Sequence, residues 1–426
     1  MIIITNRPQK ISGEVTVPGD KSITHRALII GSLAHGVTEI EGFLDADDCR
    51  STITCLCALG VKITEKPGSL LVEGRDMCLE KPAASLDAGN SGTTARLLLG
   101  VLAGQPFETL ITGDNSLRKR PMNRVIEPLS LMGASFQGTD GRLPLTISGG
   151  MLRGISYSSP RASAQVKSAV LLAALFAGGE TEFIEPYLSR NHTELMLEKF
   201  GVRIRKKDNK VLLRRGESLK GCQIQVPGDI STAAFFMVAA AITPGAEVFL
   251  KNVGINPTRS GIVDVLLNMG AGLELQNKRF WGREPVADIL IRGGSALKGT
   301  TINTELVPRL IDEIPVIAVA ASVAEGLTQI NNAGELRVKE SDRLAAIEKE
   351  LTRLGADISS EEDTLLIRGG AGLRGAEVHS YGDHRMAMAL AIAGLVAEGD
   401  TVVNGAEAVS ISYPEFMQDL RRLITE

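Results

Sequence analysis

An apolar, alanine-rich run with almost no polar face recurs six times along the chain. The copies occupy residues 22–36 (SITHRALIIGSLAHG), 91–104 (SGTTARLLLGVLAG), 163–179 (SAQVKSAVLLAALFAGG), 231–245 (STAAFFMVAAAITPG), 312–326 (DEIPVIAVAASVAEG) and 383–399 (DHRMAMALAIAGLVAEG). Each starts at Ser or Asp and ends on Gly, and each predicts a helix that must be buried on every side. A short strand-like stretch usually follows, as at Thr38–Ile40 and Thr401–Val403. A second helix then closes on a glycine and a small residue, at Gly60, Gly133, Gly201, Gly270 and Gly355, and the last copy runs out over residues 419–424. Periodic self-similarity identifies the folding unit, and six units of about 70 residues account for the chain.

Within a unit the order reads strand, helix, strand, helix and two further strands. The closing strand pair shows at 61–65 with 69–74, again within 202–216 around Asp208-Asn209, and again within 356–370. Residues 2–4 and 11–17 also read as strands. The tetrapeptide VPGD stands at 17–20 and again at 226–229, each time between an extended stretch and a buried-type helix. A Pro-Gly pair there is a turn. Its recurrence three units apart predicts two crossings between two halves. The expected domains are residues 1–18 with 229–426, and residues 19–228, with hinges near 17–21 and 226–230. Three units packed about a shared axis, first helices inside and sheets outside, would bury the apolar runs. The fold class is α/β (α+β in some schemes): a two-domain inside-out α/β barrel, each domain three βαβαββ repeats around buried parallel helices. A Rossmann fold is not expected, because no G-x-G-x-x-G follows a strand and no βαβ series persists; Gly89-Asn90-Ser91-Gly92 is only superficially similar.

Composition narrows the function. The 426 residues are 44% hydrophobic and 23% charged with a net charge of −4, which argues against a nucleic-acid surface. Five cysteines form an odd set without C-x-x-C spacing, and Cys55 and Cys57 do not share a helix face, so reduced thiols are expected. No run approaches membrane-span length, and residues 1–10 lack a signal-peptide core, so a cytoplasmic protein is expected. With five histidines and no close His/Cys/Asp constellation, no metal site is expected.

If the buried helices of each half run parallel, their N-termini share one end. Unpaired N–H groups and the helix dipoles then make an anion site, and two such ends facing each other would form a cleft for phosphates and carboxylates. The side chains at the helix starts agree: Lys21, Ser22 and Arg26; Asn90, Gly92, Thr93 and Arg96; Ser163, Gln165 and Lys167; Asp383, His384 and Arg385. Segment 113–124 adds Arg118, Lys119, Arg120 and Arg124, and the arginine fork suits carboxylate and phosphate oxygens. Asp312 stands at the mouth of an apolar run, where it reads either as a helix N-cap or as a functional acid. Glu340 lies beside Lys339 and Arg343, which at four apart are expected to share a face of a helix capped by Ser341 or Asp342. A carboxylate fixed among cations is a proton-transfer candidate. His25 reads as structural, whereas His384, within Asp-His-Arg, stays open.

Nine segments in order carry a resemblance over nearly the whole length: VPGDKSITHRAL (17–28), LDAGNSGTTARLL (86–98), GDNSLRKRPM (113–122), SAQVKSA (163–169), SRNHTE (189–194), VPGDISTAAF (226–235), LIDEIPVIAVAA (310–321), RVKESDR (337–343) and GDHRMAMALA (382–391). On these the chain resembles the 5-enolpyruvylshikimate-3-phosphate synthase family of enolpyruvyl transferases. The resemblance implies the same two-domain, six-repeat fold, closing like jaws. It implies transfer of the enolpyruvyl group of phosphoenolpyruvate to the 5-hydroxyl of shikimate 3-phosphate, through a tetrahedral intermediate, without metal or organic cofactor. It assigns shikimate 3-phosphate to Lys21, Ser22, Arg26, Ser163, Ala164, Gln165, Ser189, Arg190, Asp312 and Lys339. Phosphoenolpyruvate falls to Lys21, Asn90, Gly92, Arg120, Gln165, Arg343, His384 and Arg385. Asp312 would take the 5-hydroxyl proton, and Glu340 and Lys21 would exchange protons at C3.

Two positions depart from the pattern of some members. Ala164 replaces a second hydroxyl, leaving the phosphate to Ser163, Gln165 and Lys167, and residues 410–416 hold no lysine for phosphoenolpyruvate. The competing readings are a UDP-N-acetylglucosamine enolpyruvyl transferase, which characteristically has Lys-Asn where Lys21-Ser22 stands and a loop cysteine absent from 113–124, and a non-catalytic anion-binding protein of the same fold. A monomer is expected, acting on small molecules without nucleic acid or membrane, with glyphosate a possible inhibitor.

Overall fold

A computed structural model describes residues 1–425 apart from 217 and 371. Among these residues twelve α-helices alternate between two kinds. The apolar runs fold as α1 (Lys21–Leu33), α3 (Gly92–Leu102), α5 (Ala164–Ala174), α7 (Ile230–Ile242), α9 (Ile314–Val323) and α11 (His384–Gly394). The amphipathic partners are α2 (Asp47–Ala58), α4 (Asn123–Met132), α6 (His192–Lys199), α8 (Gly261–Asn268), α10 (Arg343–Arg353) and α12 (Phe416–Leu423). In α7 every residue from Ile230 to Ala241 is buried, as a run without a polar face requires. Five of the six amphipathic helices stop where a glycine takes a left-handed backbone, with φ of 116° at Gly133 and 100° at Gly201. A side chain would be strained there, which explains the recurrent glycine.

Among the described residues four of the six sheets share one design, two parallel strands and then an antiparallel hairpin. The sheets of residues 86–87, 108–112, 145–148 and 135–138, of 156–158, 180–184, 210–214 and 204–207, and of 301–302, 327–330, 364–368 and 357–361 follow it in that spatial order. The first repeat borrows its opening strand, Gln223–Gln225, from the far end of its unit, where Ile224 stands opposite Ile40. The N-terminal strands likewise complete late sheets: Ile2–Thr5 pairs antiparallel with Thr401–Asn404, and Lys10–Val15 lies parallel to Glu247–Gly254.

The chain divides into two compact units, one of residues 1–18, 227–280 and 285–426, the other of residues 19–226 and 281–284. The second boundary thus falls two residues before the expected 228/229. The backbone shows why: Val226 N–H bonds to Glu41 O, whereas Gly228 N–H bonds to Asn252 O. The hairpin tip Trp281–Glu284, expected with the C-terminal half, belongs to the other unit, where Glu284 meets His192 at 2.7 Å and Arg283 meets Glu198 at 3.3 Å. Both VPGD turns end in a helix cap: Asp20 accepts from Ile23 N–H at 2.9 Å and Asp229 from Ser231 N–H at 2.8 Å. Each unit has its own core, built on α1, α3 and α5 in one and on α7, α9 and α11 in the other. All five cysteines are free, and among the described residues no helix is long and apolar enough to cross a membrane.

Candidate active site

In the unit of residues 19–226 the starts of the three buried helices meet. Arg26 of α1 donates to Ser168 of α5 at 2.7 Å, and Gln165 of α5 donates to Thr93 of α3 at 3.0 Å while accepting from Arg96 at 2.8 Å. The helices therefore run parallel with their positive ends together. Ser91 and Ser163 cap α3 and α5 through the N–H groups of Thr94 and Val166. Lys21 forms a 2.8 Å ion pair with Asp48 of α2. Ser22 Oγ accepts from Arg190 at 3.2 Å, which joins the SRNHTE segment to α1. Arg120 donates to Asn90 at 2.9 Å, and Asn90 in turn donates to Asp114 at 2.7 Å. Of the four cations in segment 113–124 only Arg120 is buried. Gly92 and Ala164 are the first residues of α3 and α5. A Cβ on Gly92 would lie 2.7 Å from Arg96 NH1 and 3.4 Å from Arg120 NH1.

Two expected phosphate contacts are otherwise engaged. Lys167 is buried between Glu185 at 2.8 Å and Glu194 at 2.9 Å and also donates to Ser189 O at 3.2 Å, so it is not open to a phosphate. Burial works against its charge, but Glu194 and Glu185 outweigh burial and hold its pKa above the ordinary lysine value. Ser189 gives its hydroxyl to Glu185 at 2.5 Å and its N–H to the same carboxylate at 3.0 Å. Arg26 is buried on Thr193 at 2.7 Å, Ser168 and Ser22 O.

His25 is wholly buried, and its Nδ1 opens a hydroxyl chain through Thr52 at 2.7 Å, Thr94 at 2.6 Å and Ser91 at 2.8 Å. Its Nε2 has no hydrogen-bond partner among the described residues. Burial first, then Lys21 and Arg26, hold its pKa well below 6.5. The unfolded chain therefore binds a proton there that the folded chain refuses. Stability is full above about pH 6.5 and falls as pH drops below it, by up to ~1.4 kcal/mol per pH unit down to the folded pKa. Melting curves between pH 5 and 8 should show this slope in the wild type and less of it in His25→Gln.

In the other unit the acids and cations interlock. Arg343, the first residue of α10, is buried against three carboxylates: Asp312 at 3.2 Å, Glu340 at 2.5 Å and Asp383 at 2.7 Å. Burial works against its charge, yet Asp383, Glu340 and Asp312 together hold its pKa above that of an ordinary arginine. Asp383 caps α11 through Arg385 N–H at 2.9 Å and also accepts from Ser341 at 3.1 Å. Asp312 is faced by Lys339 at 3.5 Å and Arg385 at 3.7 Å as well. Asp312 is not a cap, because α9 begins at Ile314 with Glu313 before it. Nor do Lys339 and Arg343 share a helix face: Lys339 follows the 3-10 turn Gly334–Val338, and α10, capped by Asp342, starts only at Arg343. They converge on Asp312 instead. His384 is buried at the first position of α11.

Sequence reasoning missed the counter-ions. Asp48, Asp114, Glu185 and Glu194 carry no local signal, since each meets its cation or amide from a different element. The same is true of the buried group in which Arg259 meets Asp229 at 3.2 Å and Glu313 at 3.8 Å. Among the described residues no three His, Cys, Asp or Glu side chains are placed to hold a metal ion.

Six repeats on two sets of parallel buried helices, with cations and acids gathered at the helix starts, define an inside-out α/β protein equipped to bind anions and move protons. The family model for EPSP synthase (3-phosphoshikimate 1-carboxyvinyltransferase) matches residues 5–420. The chain belongs to that family. It is 52% identical to the 3-phosphoshikimate 1-carboxyvinyltransferase of Desulforamulus reducens over 431 residues, covering 100% of both chains. It is 51% identical to that of Bacillus anthracis over 416 residues, 97% of each. Among solved structures, EPSP synthase from Acinetobacter baumannii superposes with a TM-score of 0.88 at 45% identity, covering 99% of this chain and 98% of the other.

Proposed function

We propose the following residue roles, taken from each unit by itself. The chain transfers the 1-carboxyvinyl group of phosphoenolpyruvate to the 5-hydroxyl of shikimate 3-phosphate, in aromatic amino acid biosynthesis. The observation that carries the assignment of roles is the Asp312 carboxylate held by Lys339, Arg343 and Arg385, with Glu340 on the same guanidinium.

Ser22, Ser163, Gln165 and Arg190, with the N–H of Ala164 at the α5 start, take shikimate 3-phosphate together with Lys339, while Arg26 and Ser189 act by holding Ser22 and the 189–190 segment. Lys21, Asn90, Gly92, Arg120, Gln165, His384 and Arg385 take phosphoenolpyruvate. Arg343 acts through the acids it fixes. Without substrate Lys21, Lys339 and Arg385 are balanced by the protein's own carboxylates, and the incoming anions compete for Lys21 with Asp48 and for Arg385 with Asp312. Asp312 accepts the 5-hydroxyl proton as that oxygen bonds to C2, and Glu340 or Lys21 delivers a proton to C3. In the second half C3 returns a proton, the C2–O bond to phosphate breaks, and inorganic phosphate leaves. The protein works in the cytoplasm as a monomer on small molecules, needs neither nucleic acid nor membrane, and binds glyphosate through the groups that hold phosphoenolpyruvate.

Because C3 is transiently a methyl group, turnover in D2O should place deuterium on the vinyl carbon of the product, and Glu340→Gln should slow that turnover. Product free of deuterium would rule out addition–elimination. At Gly92 the added methyl of Gly92→Ala meets Arg96 first, and through it Gln165. The variant should lose roughly 10–100-fold in kcat/KM for phosphoenolpyruvate with an undiminished melting temperature, since alanine favours the helix. Steady-state kinetics and a thermal melt check both parts.

A further inference from the structure

We propose that the buried hydroxyl chain His25–Thr52–Thr94–Ser91 is a set of positioning residues for the phosphoenolpyruvate groups of its unit, and this rests on the activity proposed above. Lys21 and His25 are one turn apart on α1, and Asp48 and Thr52 are one turn apart on α2. Lys21–Asp48 at 2.8 Å and His25–Thr52 at 2.7 Å are therefore two stacked rungs between these helices, one ionic and one neutral. The chain then crosses to α3, from Thr52 to Thr94 at 2.6 Å and from Thr94 to Ser91 at 2.8 Å. Ser91 caps α3 and stands between Asn90 and Gly92. Arg26, the next residue of α1, points about 100° away from His25 and joins Ser168 of α5 and Thr193 of α6 instead. The hydroxyl chain thus braces Lys21, Asn90 and Gly92, and the Arg26 contacts brace the shikimate 3-phosphate side. When a substrate anion draws Lys21 from Asp48 the ionic rung opens, and the neutral rung keeps α1 and α2 in register.

The hydrogens along the chain run one way. Thr94 has a single hydroxyl proton, which goes to Ser91 Oγ or, at 3.4 Å, to Asp48 O. It must then accept from Thr52, and Thr52 in turn from His25. The ring therefore carries its proton on Nδ1, and Nε2, which has no partner among the described residues, stays bare. Burial, with Lys21 and Arg26 nearby, keeps the ring neutral. All four residues are 0% exposed, so water does not replace a hydroxyl taken out of the chain.

Thr52→Val keeps the volume and removes the hydroxyl, whereas Thr52→Ser keeps the hydroxyl and removes a buried methyl. The expected result for Thr52→Val is a fall of about tenfold in kcat/KM for phosphoenolpyruvate, with KM for shikimate 3-phosphate within about twofold of wild type. Thr52→Ser should return to within about twofold of wild type for both substrates, even where it melts lower. Activity would then follow the hydroxyl and not the melting temperature. A second measurement needs no turnover. In magnetic resonance spectra of protein isotopically labelled at histidine, the ring signals lost in His25→Gln should be those of a neutral imidazole protonated at Nδ1. The wild type in the kinetic assay tests the activity itself, because failure of that reading shows as no turnover before any substitution. Undiminished kcat/KM for phosphoenolpyruvate in Thr52→Val, equal losses for the two substrates, losses in both variants that track their melting temperatures, or a ring protonated at Nε2 would each overturn the proposal.

Discussion

Asp312→Asn is expected to lower kcat by about 10²–10⁴-fold, the range that a positioned general base contributes. The substitution keeps shape and most hydrogen bonds but removes the carboxylate that Lys339, Arg343 and Arg385 jointly hold. Because those cations lose one balancing charge, substrate anions should bind no more weakly, and KM for phosphoenolpyruvate should stay level or fall. A loss confined to kcat marks an interaction made in the transition state rather than in ground-state binding. Folding should survive, since Arg343 keeps Glu340 and Asp383. The check is steady-state phosphate release alongside a thermal melt. A kcat within a few-fold of wild type would move the 5-hydroxyl proton to another base.

The largest loss of stability is expected from Lys167→Met. It leaves Glu185 and Glu194 buried in the absence of the cation that balances them, and breaking a buried pair in this way costs about 3–5 kcal/mol. The pH dependence has a definite sign. The folded pKa of Lys167 is raised, so the stability it contributes is present in full below the ordinary lysine value and is lost as pH rises through the folded one. Replacing both acids as well, in Lys167→Met/Glu185→Gln/Glu194→Gln, should restore much of the loss, because neutral amides can be buried when hydrogen-bonded. The change should also reach the substrate. Lys167 and Glu185 fix the backbone of Ser189, and Arg190 next to it donates to Ser22, so KM for shikimate 3-phosphate should rise.

The contrast between these two sites shows which parts of the fold were legible in the residues. The buried helices could be read because a run such as 231–243 has no polar face to offer water. The second-helix glycines could be read because a left-handed residue at positions such as Gly133 tolerates no side chain easily. VPGD could be read as a turn, though its aspartate proved to be the cap of the following helix. Cations at helix starts were visible for the same reason: they sit at fixed places in a repeated unit. Their partners were not. Lys21 and Asp48 are 27 residues apart, Arg343 and Asp383 are 40, and no periodicity links them. Lys167 therefore looked like a phosphate ligand, and Asp312 could be read as a helix cap as well as a functional acid, when both are fixed by elements far along the chain. The expected common face of Lys339 and Arg343 failed because Asp342 starts the helix after Lys339, and their shared target, Asp312, lies ahead of the preceding buried helix of the same repeat.

The most direct test of the central claim is phosphate release by the purified protein. One arm contains phosphoenolpyruvate and shikimate 3-phosphate, two arms lack one of them, and a fourth offers UDP-N-acetylglucosamine in place of shikimate 3-phosphate. The account predicts release only where phosphoenolpyruvate and shikimate 3-phosphate are both present, with Asp312→Asn and Glu340→Gln suppressing it. Release with the amino sugar alone, or no release in any arm from protein that melts cooperatively, would contradict it.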